Sequence, residues 1–388
     1  MTEEGPQPVK LPDPPTDGIT ALSYVGSTNL LASTSWDGSI RVHDTGEFGA
    51  NAKLQVSHTN NVGPLLCLAA LEEDNNNNLL YTGALDGSVQ CLDIASNQIT
   101  LVGKHKAPET STAYTATAAA CSSVALLAPL VVTAGWDRHL HVWDVRQDKN
   151  SGAAVTVELP GKAFCMDVDA LHSRVAVGCS GRQTCLVDVR RPDQSVTAEI
   201  SLQGESSQKH QTRCLKFFPD GQRIAVGSVE GRVAVEWVDG RALDGNNGMP
   251  KDYAFKCHRR NDLVFPVNCI EFHPKYGTFA TGGGDGTVGT FLCFSFCPVV
   301  WYSLITHPLS TFTPFLFLPV TWDGFNRKRL TALPAFGTSI AALAFSQDGS
   351  TLAMASSYTF EEGERDHPRD EIFVRRMLET DCQPKKKS

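Results

Sequence analysis

One short phrase recurs along the chain with a fixed internal spacing, and it limits what the chain can fold into more than any other feature. In Ala134-Gly135-Trp136-Asp137-Arg138-His139-Leu140-His141-Val142-Trp143-Asp144, small residues meet a turn at Asp137, and the next segment closes on an aspartate seven residues later. Leu140 and Val142 alternate with His139 and His141, so that segment is a strand with one buried face. The same interval separates Asp37 from Asp44, Asp86 from Asp93 and Gly181 from Asp188. The closing aspartates Asp44, Asp93, Asp144, Asp188 and Asp239 follow one another at 49, 51, 44 and 51 residues. Such a period marks a repeat of small sheets, each burying its face against its neighbours.

The period fails once. Gly284-Asp285-Gly286 opens the next unit on schedule, but its closing Trp322-Asp323 arrives 38 residues after Asp285 rather than seven, a surplus of 31. Joining Gly289 directly to Thr321 restores the phrase. The surplus, Thr290 to Val320, contains no Asp, Glu, Lys or Arg. A membrane span needs about 20 unbroken apolar residues, whereas Pro298, Pro308, Pro314 and Pro319 interrupt this stretch. A functional insertion would enter at a loop rather than in mid-strand. The expectation is a translated intron in blade six, carried in frame.

Without it about 357 residues remain, the right length for one ring. The phrase resembles WD repeats, and the expected fold is all-β: a seven-bladed WD-repeat β-propeller over residues 18–377. The last unit offers only three strands, Ser339 to Phe345, Thr351 to Ser356 and Glu371 to Arg375. An unpaired edge is a liability, so a strand near Gln7 to Leu11, within an N-terminal extension of residues 1–17, is expected to complete that blade and close the ring. Residues 378–388, with Lys385-Lys386-Lys387, read as a basic tail.

Composition narrows the function. A net charge of −8 gives no general attraction for nucleic acid. The twelve cysteines stand singly in strand-like segments, as free buried thiols do in a reducing compartment. Met1 to Lys10 is acidic and Pro-rich, unlike a secretory signal. Chemistry-bearing motifs are missing: Gly282 to Gly286 lacks the Lys-Ser/Thr of a phosphate loop, and neither Cys257-His258 nor Cys293 with Cys297 has a second metal pair. His105 and His58 precede the turn residues Asp137 and Asp86, and are expected to staple their blades by buried His–Asp hydrogen bonds. No catalytic residue, metal, cofactor, membrane or nucleic-acid partner is expected; the chain reads as a non-enzymatic scaffold.

Three motifs are more specific. Gln211-Thr212-Arg213-Cys214, Val229-Glu230-Gly231-Arg232-Val233-Ala234-Val235-Glu236 and Tyr253-Ala254-Phe255-Lys256-Cys257-His258-Arg259 closely resemble the Bub-three/Rae-one family, in that order along the chain. Pro266-Val267-Asn268, Phe272-His273-Pro274 and Ala355-Ser356-Ser357-Tyr358 extend the likeness. Ser339-Ile340-Ala341 and the acidic Glu361 to Asp370 segment are similar to the checkpoint branch rather than the mRNA-export branch. The residues themselves make a binding surface plausible: Arg213, Arg232 and Lys256 read as coming from neighbouring units, and a local basic cluster on an acidic chain calls for an acidic ligand.

The resemblance implies roles. Arg213 would contact acidic residues of the GLEBS motif of checkpoint kinases of the Bub-one/BubR family, with Trp36 and Trp136 as aromatic anchors on the same face. Arg232 and Lys256 would receive the phosphothreonine of MELT repeats in the kinetochore scaffold, so that the protein recruits the kinases to unattached kinetochores in the spindle assembly checkpoint. Nucleus and kinetochore, with a cytoplasmic pool, would be its locations. Two alternatives stay open: an export factor binding a nucleoporin GLEBS motif, and a substrate receptor of a cullin ubiquitin ligase, for which Val142-Trp143-Asp144-Val145-Arg146 supplies a short WDxR pattern.

Overall fold

The computed structural model describes the chain apart from residues 1–5, 61, 73–77, 107–118, 147–151, 191–194, 239–251, 293–321, 324–327, 331–332, 334 and 384–388. Most of the apolar surplus, Asn75 to Asn77, the Cys293/Cys297 pair and the three terminal lysines lie outside those residues. Seven small sheets follow one another in sequence, the blades of a propeller, antiparallel but for one parallel pair in blade six, and the short hairpin Arg259–Arg260 with Leu263–Val264 stands apart from them. Blade one consists of Ile19–Tyr24, Leu30–Ser35, Ser39–Asp44 and Lys53–Thr59, from the axis outwards, and the later blades repeat that order. Among the described residues no helix is long and apolar enough to cross a membrane.

Alternation explains why the blades pack. In blade three, Val132, Ala134, Leu140 and Val142 are fully buried and meet Val175, Val177, Cys185 and Val187 of blade four. Both faces of the middle strands are covered, and burial of a branched side chain contributes about 1.5–3 kcal/mol. The segment Ala116 to Leu130, whose alanines suit a helix, supplies the inner strand Cys121–Leu127 instead. Neighbouring sheets override local propensity there.

The ring closes through the N-terminus. Val9–Lys10 pairs antiparallel with Glu371–Arg376, the third strand of blade seven after Ile340–Phe345 and Thr351–Ser356. Leu11 is fully buried beside Ile372 and Val374. Arg375, itself buried, donates to the Pro6 carbonyl at 2.9 Å and to Asp381 at 2.8 Å. Asp381 and Cys382 are buried on the short helix Glu379–Cys382, so the packed body runs past residue 377 and the tail begins only after Cys382.

Every blade carries a β-bulge at one place. The register between inner and second strands slips after the first inner residue in all seven, leaving Thr20, Leu66, Ser122, Phe164, Arg213, Asn268 and Ala341 as the extra residues. A bulge re-aims the side chain it carries. Six of these seven line the mouth of the axial channel. The next residue is cysteine in four blades, Cys67, Cys165, Cys214 and Cys269, and each lies opposite a glycine: Gly83, Gly178, Gly227 and Gly282. A Cβ on those glycines would come within 2.5–2.7 Å of the thiol sulfur. The cysteines therefore hold one structural position, and Cys67 and Cys214 donate from it to carbonyls of the next blade, Cys121 O at 3.5 Å and Val267 O at 3.4 Å. All ten described cysteines are free.

The His–Asp staple forms in blade three, where His105 Nδ1 lies 2.9 Å from Asp137 and Nε2 lies 2.9 Å from Thr133, which also accepts from the Trp143 indole. The expected His58–Asp86 pair does not form. His58 lies opposite Ile40 in the outer strand of blade one, and Asp86 is held by Ser88 and by Lys104 at 2.7 Å. A second staple, missed in the sequence, joins His258 to Asp285 at 2.9 Å and to Thr281 at 2.9 Å in blade six.

Burial acts to raise the Asp285 carboxyl, but hydrogen bonds from His258 and Thr287 outweigh it and hold the group below its ordinary 3.8. A depressed folded value means that the stabilisation is complete above the ordinary aspartate range and is lost as pH falls through it. Asp285→Asn is therefore expected to lose about 2 kcal/mol at neutral pH, with the gap to the parent chain shrinking as acid is added. Denaturant melts at pH 7 and in the acid range check this; an undiminished gap would show that the charge is irrelevant.

Blade six differs from the rest. Val288–Leu292 takes the third position against Phe279–Gly283. Trp322–Asp323 then pairs with it in parallel, Phe291 with Trp322 and Leu292 with Asp323, and Lys328–Arg329 returns antiparallel. The parallel offset equals the 31-residue surplus: the two segments occupy adjacent strands in matching register. Asp323 facing Lys328 reproduces the third-to-outer pairing of blade two, Asp93 facing Gln98, with the same separation.

Candidate functional site

The turns between second and third strands and the bulges at the start of the inner strands lie at one end of every blade. One repeated hydrogen bond ties them together: Trp36 N–H to Gly18 O, Leu85 to Pro64, Trp136 to Ala120, Ser180 to Lys162, Val229 to Gln211, Gly284 to Pro266 and Ser357 to Ser339, at 2.8–3.1 Å. Trp36 and Trp136 thus occupy equivalent positions on the same face, as the sequence suggested. Their surroundings differ. Trp36 is 45% exposed and lines a cavity of about 890 Å³ over the axial channel. Trp136 is half-buried and does not line it.

Arg213, the bulge residue of blade five, points into that cavity and is the sole charge among the seven bulge residues. It has no ion pair among the described residues. Around it stand Phe164 from the blade-four bulge, the exposed Val229 and Phe360, and Tyr358. The acidic segment after Tyr358 folds over the channel: Glu361 accepts from Ser339 at 3.2 Å, from Asn268 at 3.5 Å and from Thr359. Arg365 lies over the Tyr358 ring at 4.6 Å. The cavity combines exposed aromatic side chains with the Arg213 guanidinium, while its two lining carboxylates, Asp17 and Asp370, accept from Gly18 N–H and Ser357; that composition suits an apolar segment carrying an acid near Arg213.

Arg232 and Lys256 form a second locus further from the axis. They face each other directly in the antiparallel register between Arg232–Trp237 and Tyr253–Lys256. Both belong to blade five, as does Arg213; the three cations do not come from neighbouring units. The expected single convergence becomes a row across the top edge of one blade, because the repeat phrase straddles blades and the strand carrying Lys256 completes blade five rather than opening blade six. Among the described residues Glu230 is the carboxylate that pairs here, 3.8 Å from Arg232 Nε and 3.1 Å from His210. Arg259 donates to the Glu230 carbonyl at 3.0 Å. The turn is tight: Gly231 sits at φ +58°, and a Cβ there would lie 2.6 Å from Cys257 O.

Two like charges opposite each other on one strand pair destabilise a sheet. Arg232 Nε is buried without a hydrogen bond, and Lys256 is exposed with no ion pair among the described residues. A dianionic group set between them would satisfy both.

Phe164 and Phe360 were not singled out from the sequence, and Val229 and Tyr358 entered only as members of motifs, without a role. The bulge position could have found Phe164, since it immediately precedes Cys165 as Arg213 precedes Cys214 and Asn268 precedes Cys269. On the opposite end of blade three, Arg146 of the WDxR pattern makes a bidentate pair with Asp144 at 2.9 and 2.7 Å.

Residues 7–44 and 252–289 match the family described as WD domain, G-beta repeat. The chain is 36% identical over 370 residues to the mitotic checkpoint protein bub3 of Dictyostelium discoideum, spanning 94% of this chain and 93% of that protein. It is 34% identical over 392 residues to the mitotic checkpoint protein bub-3 of Caenorhabditis elegans, with 98% and 96% covered. To the mRNA export factor GLE2 of Chaetomium thermophilum it is 30% identical over 390 residues, with 97% and 92% covered.

Proposed function

Because the chain belongs to the Bub3 family of WD-repeat mitotic checkpoint proteins, we propose that it is a non-enzymatic adaptor that joins two acidic peptide ligands on one face of its ring. The axial cavity takes a GLEBS segment of a checkpoint kinase, with Arg213 meeting an acid and Trp36 an apolar side chain. Trp136 flanks the path from an equivalent turn. The outer pair, Arg232 and Lys256, takes the phosphothreonine of a MELT repeat in the kinetochore scaffold, so that the adaptor brings the kinase to unattached kinetochores. Its working places are the nucleus and the kinetochore.

The observation that carries this reading is the direct opposition of Arg232 and Lys256 in the blade-five register. A structural role gives no reason to keep two adjacent cations; a phosphate ligand does. Capture on immobilised phospho-MELT, plain MELT, GLEBS and ligase-adaptor baits tests it. Retention on phospho-MELT but not plain MELT is expected. Retention on nucleoporin GLEBS alone would favour an export factor, and retention on the ligase adaptor a ubiquitin receptor.

Arg213→Glu is expected to weaken the GLEBS ligand about thirtyfold, from about 2 kcal/mol of lost charge-assisted hydrogen bonding and added repulsion, while phospho-MELT binding is kept. Undiminished co-purification with the GLEBS partner would remove Arg213 from that role.

A further inference from the structure

Blade three gathers an imidazole cluster that, among the described residues, no other blade has. The residues two and four positions after the turn aspartate are Ser39 and Arg41 in blade one, Ser88 and Gln90 in blade two, and Thr287 and Gly289 in blade six. In blade three they are His139 and His141. With His105 arriving from the other side, three imidazoles surround the Asp137 carboxylate, and Gly135 leaves the room, since a Cβ there would lie 2.6 Å from His105 Nδ1.

Two of these rings converge on one oxygen. His105 Nδ1 lies 2.9 Å and His141 Nε2 lies 3.5 Å from Asp137 Oδ2. Each ring is aimed by its other nitrogen, His105 Nε2 at 2.9 Å from Thr133 Oγ1 and His141 Nδ1 at 2.9 Å from Thr156 Oγ1. His141 Nε2 is buried and reaches that carboxylate only at 3.5 Å, outside good hydrogen-bond geometry. The staple explains His105 and Asp137, but it leaves this nitrogen without a task. His139 turns away, its Nδ1 at 2.9 Å from the Asp137 carbonyl.

We propose that His105, Asp137 and His141 form a binding site for a divalent transition-metal ion of the zinc type. Donors about 2.0–2.2 Å from a tetrahedral ion stand about 3.3 Å apart; the two separations to Asp137 bracket that value, and all three donor atoms lie within 4.8 Å of one another. Two neutral imidazoles and one carboxylate are a zinc-type set, with water in the fourth position. The threonine hydroxyls supply the outer hydrogen bonds that fix ring orientation at such sites. For His105 Nδ1 to ligate, an imidazolium releases that proton to solvent, whereas a neutral ring shifts to the Nε2–H tautomer, which donates to Thr133. The half-exposed His139 edge is the route in.

Cobalt(II) titrated into the reduced full chain tests this, because its spectrum separates nitrogen–oxygen ligation from binding to the thiols. The expected result is the visible d–d absorption of a tetrahedral site without sulfur-to-cobalt charge transfer, reversed by zinc. His141→Gln, outside the staple, should weaken it by more than the roughly 10–100-fold that loss of an outer partner costs, with unchanged far-ultraviolet circular dichroism. His139→Ala should retain the band. No band in the parent chain, a band surviving His141→Gln, or a sulfur charge-transfer band in its place would each overturn the proposal.

Discussion

Replacing Arg232 and Lys256 together by alanine is expected to lower affinity for phosphorylated MELT peptide at least about a hundredfold while leaving the plain peptide unaffected. Each cation contributes a charge-assisted hydrogen bond of about 1.5–3 kcal/mol, and about 3 kcal/mol for the pair is already two decades in affinity. The two side chains face each other in register, so loss of one leaves the other to hold the phosphate alone, and either single variant should fall between. Removing like charges from one strand pair relieves repulsion, so the double variant should melt no lower than the parent. Titration with both peptides decides the matter. A phosphate preference that survives the double substitution would refute the assignment, and a fall in both affinities would point to damage of the blade.

The second large effect concerns blade six. A chain lacking residues 290–320 is expected to melt at least about 4 °C higher and to give more soluble protein. We propose that these residues are foreign to the blade and correspond to a retained intron. The deletion joins Gly289 to Thr321, and Trp322–Asp323 then slides into the strand position now held by Phe291–Leu292. Its hairpin partner Lys328–Arg329 moves with it to become an ordinary outer strand. Restored ladder hydrogen bonds and a connection 31 residues shorter together amount to about 3 kcal/mol, and loss of an uncharged apolar stretch lowers the tendency to aggregate. An unchanged or lower melting temperature would defeat this reading, as would mature message that mostly keeps the 31 codons.

Much of this was legible because the repeat phrase is local: seven residues from turn to closing aspartate fix a hairpin, and its recurrence fixes a ring. Arg213, Arg232 and Lys256 could be chosen from their motifs, but not allotted to a blade, since the phrase does not show which sheet an outer strand joins. The same ambiguity produced the His58–Asp86 expectation. A better signal was available: Gly135 and Gly283, each two residues before its turn aspartate, make space for the imidazole, whereas the corresponding residues Ser35 and Ala84 carry a Cβ. The cysteines looked scattered, yet four of them mark one position beside the axis. The cavity wall at Tyr358 and Phe360 was beyond reach, because nothing in a loop's composition says where it will fold over a channel.

The strand Val9–Lys10 is separated by more than 360 residues from Glu371–Arg376, the strand it pairs with. Without that pairing the third strand of blade seven would keep a bare edge. Arg375, gripping Pro6 on one side and Asp381 on the other, ties the front of the chain to its far end. A fusion partner or trimming at the front of the chain would be felt at its far end, in a protein that had otherwise finished folding.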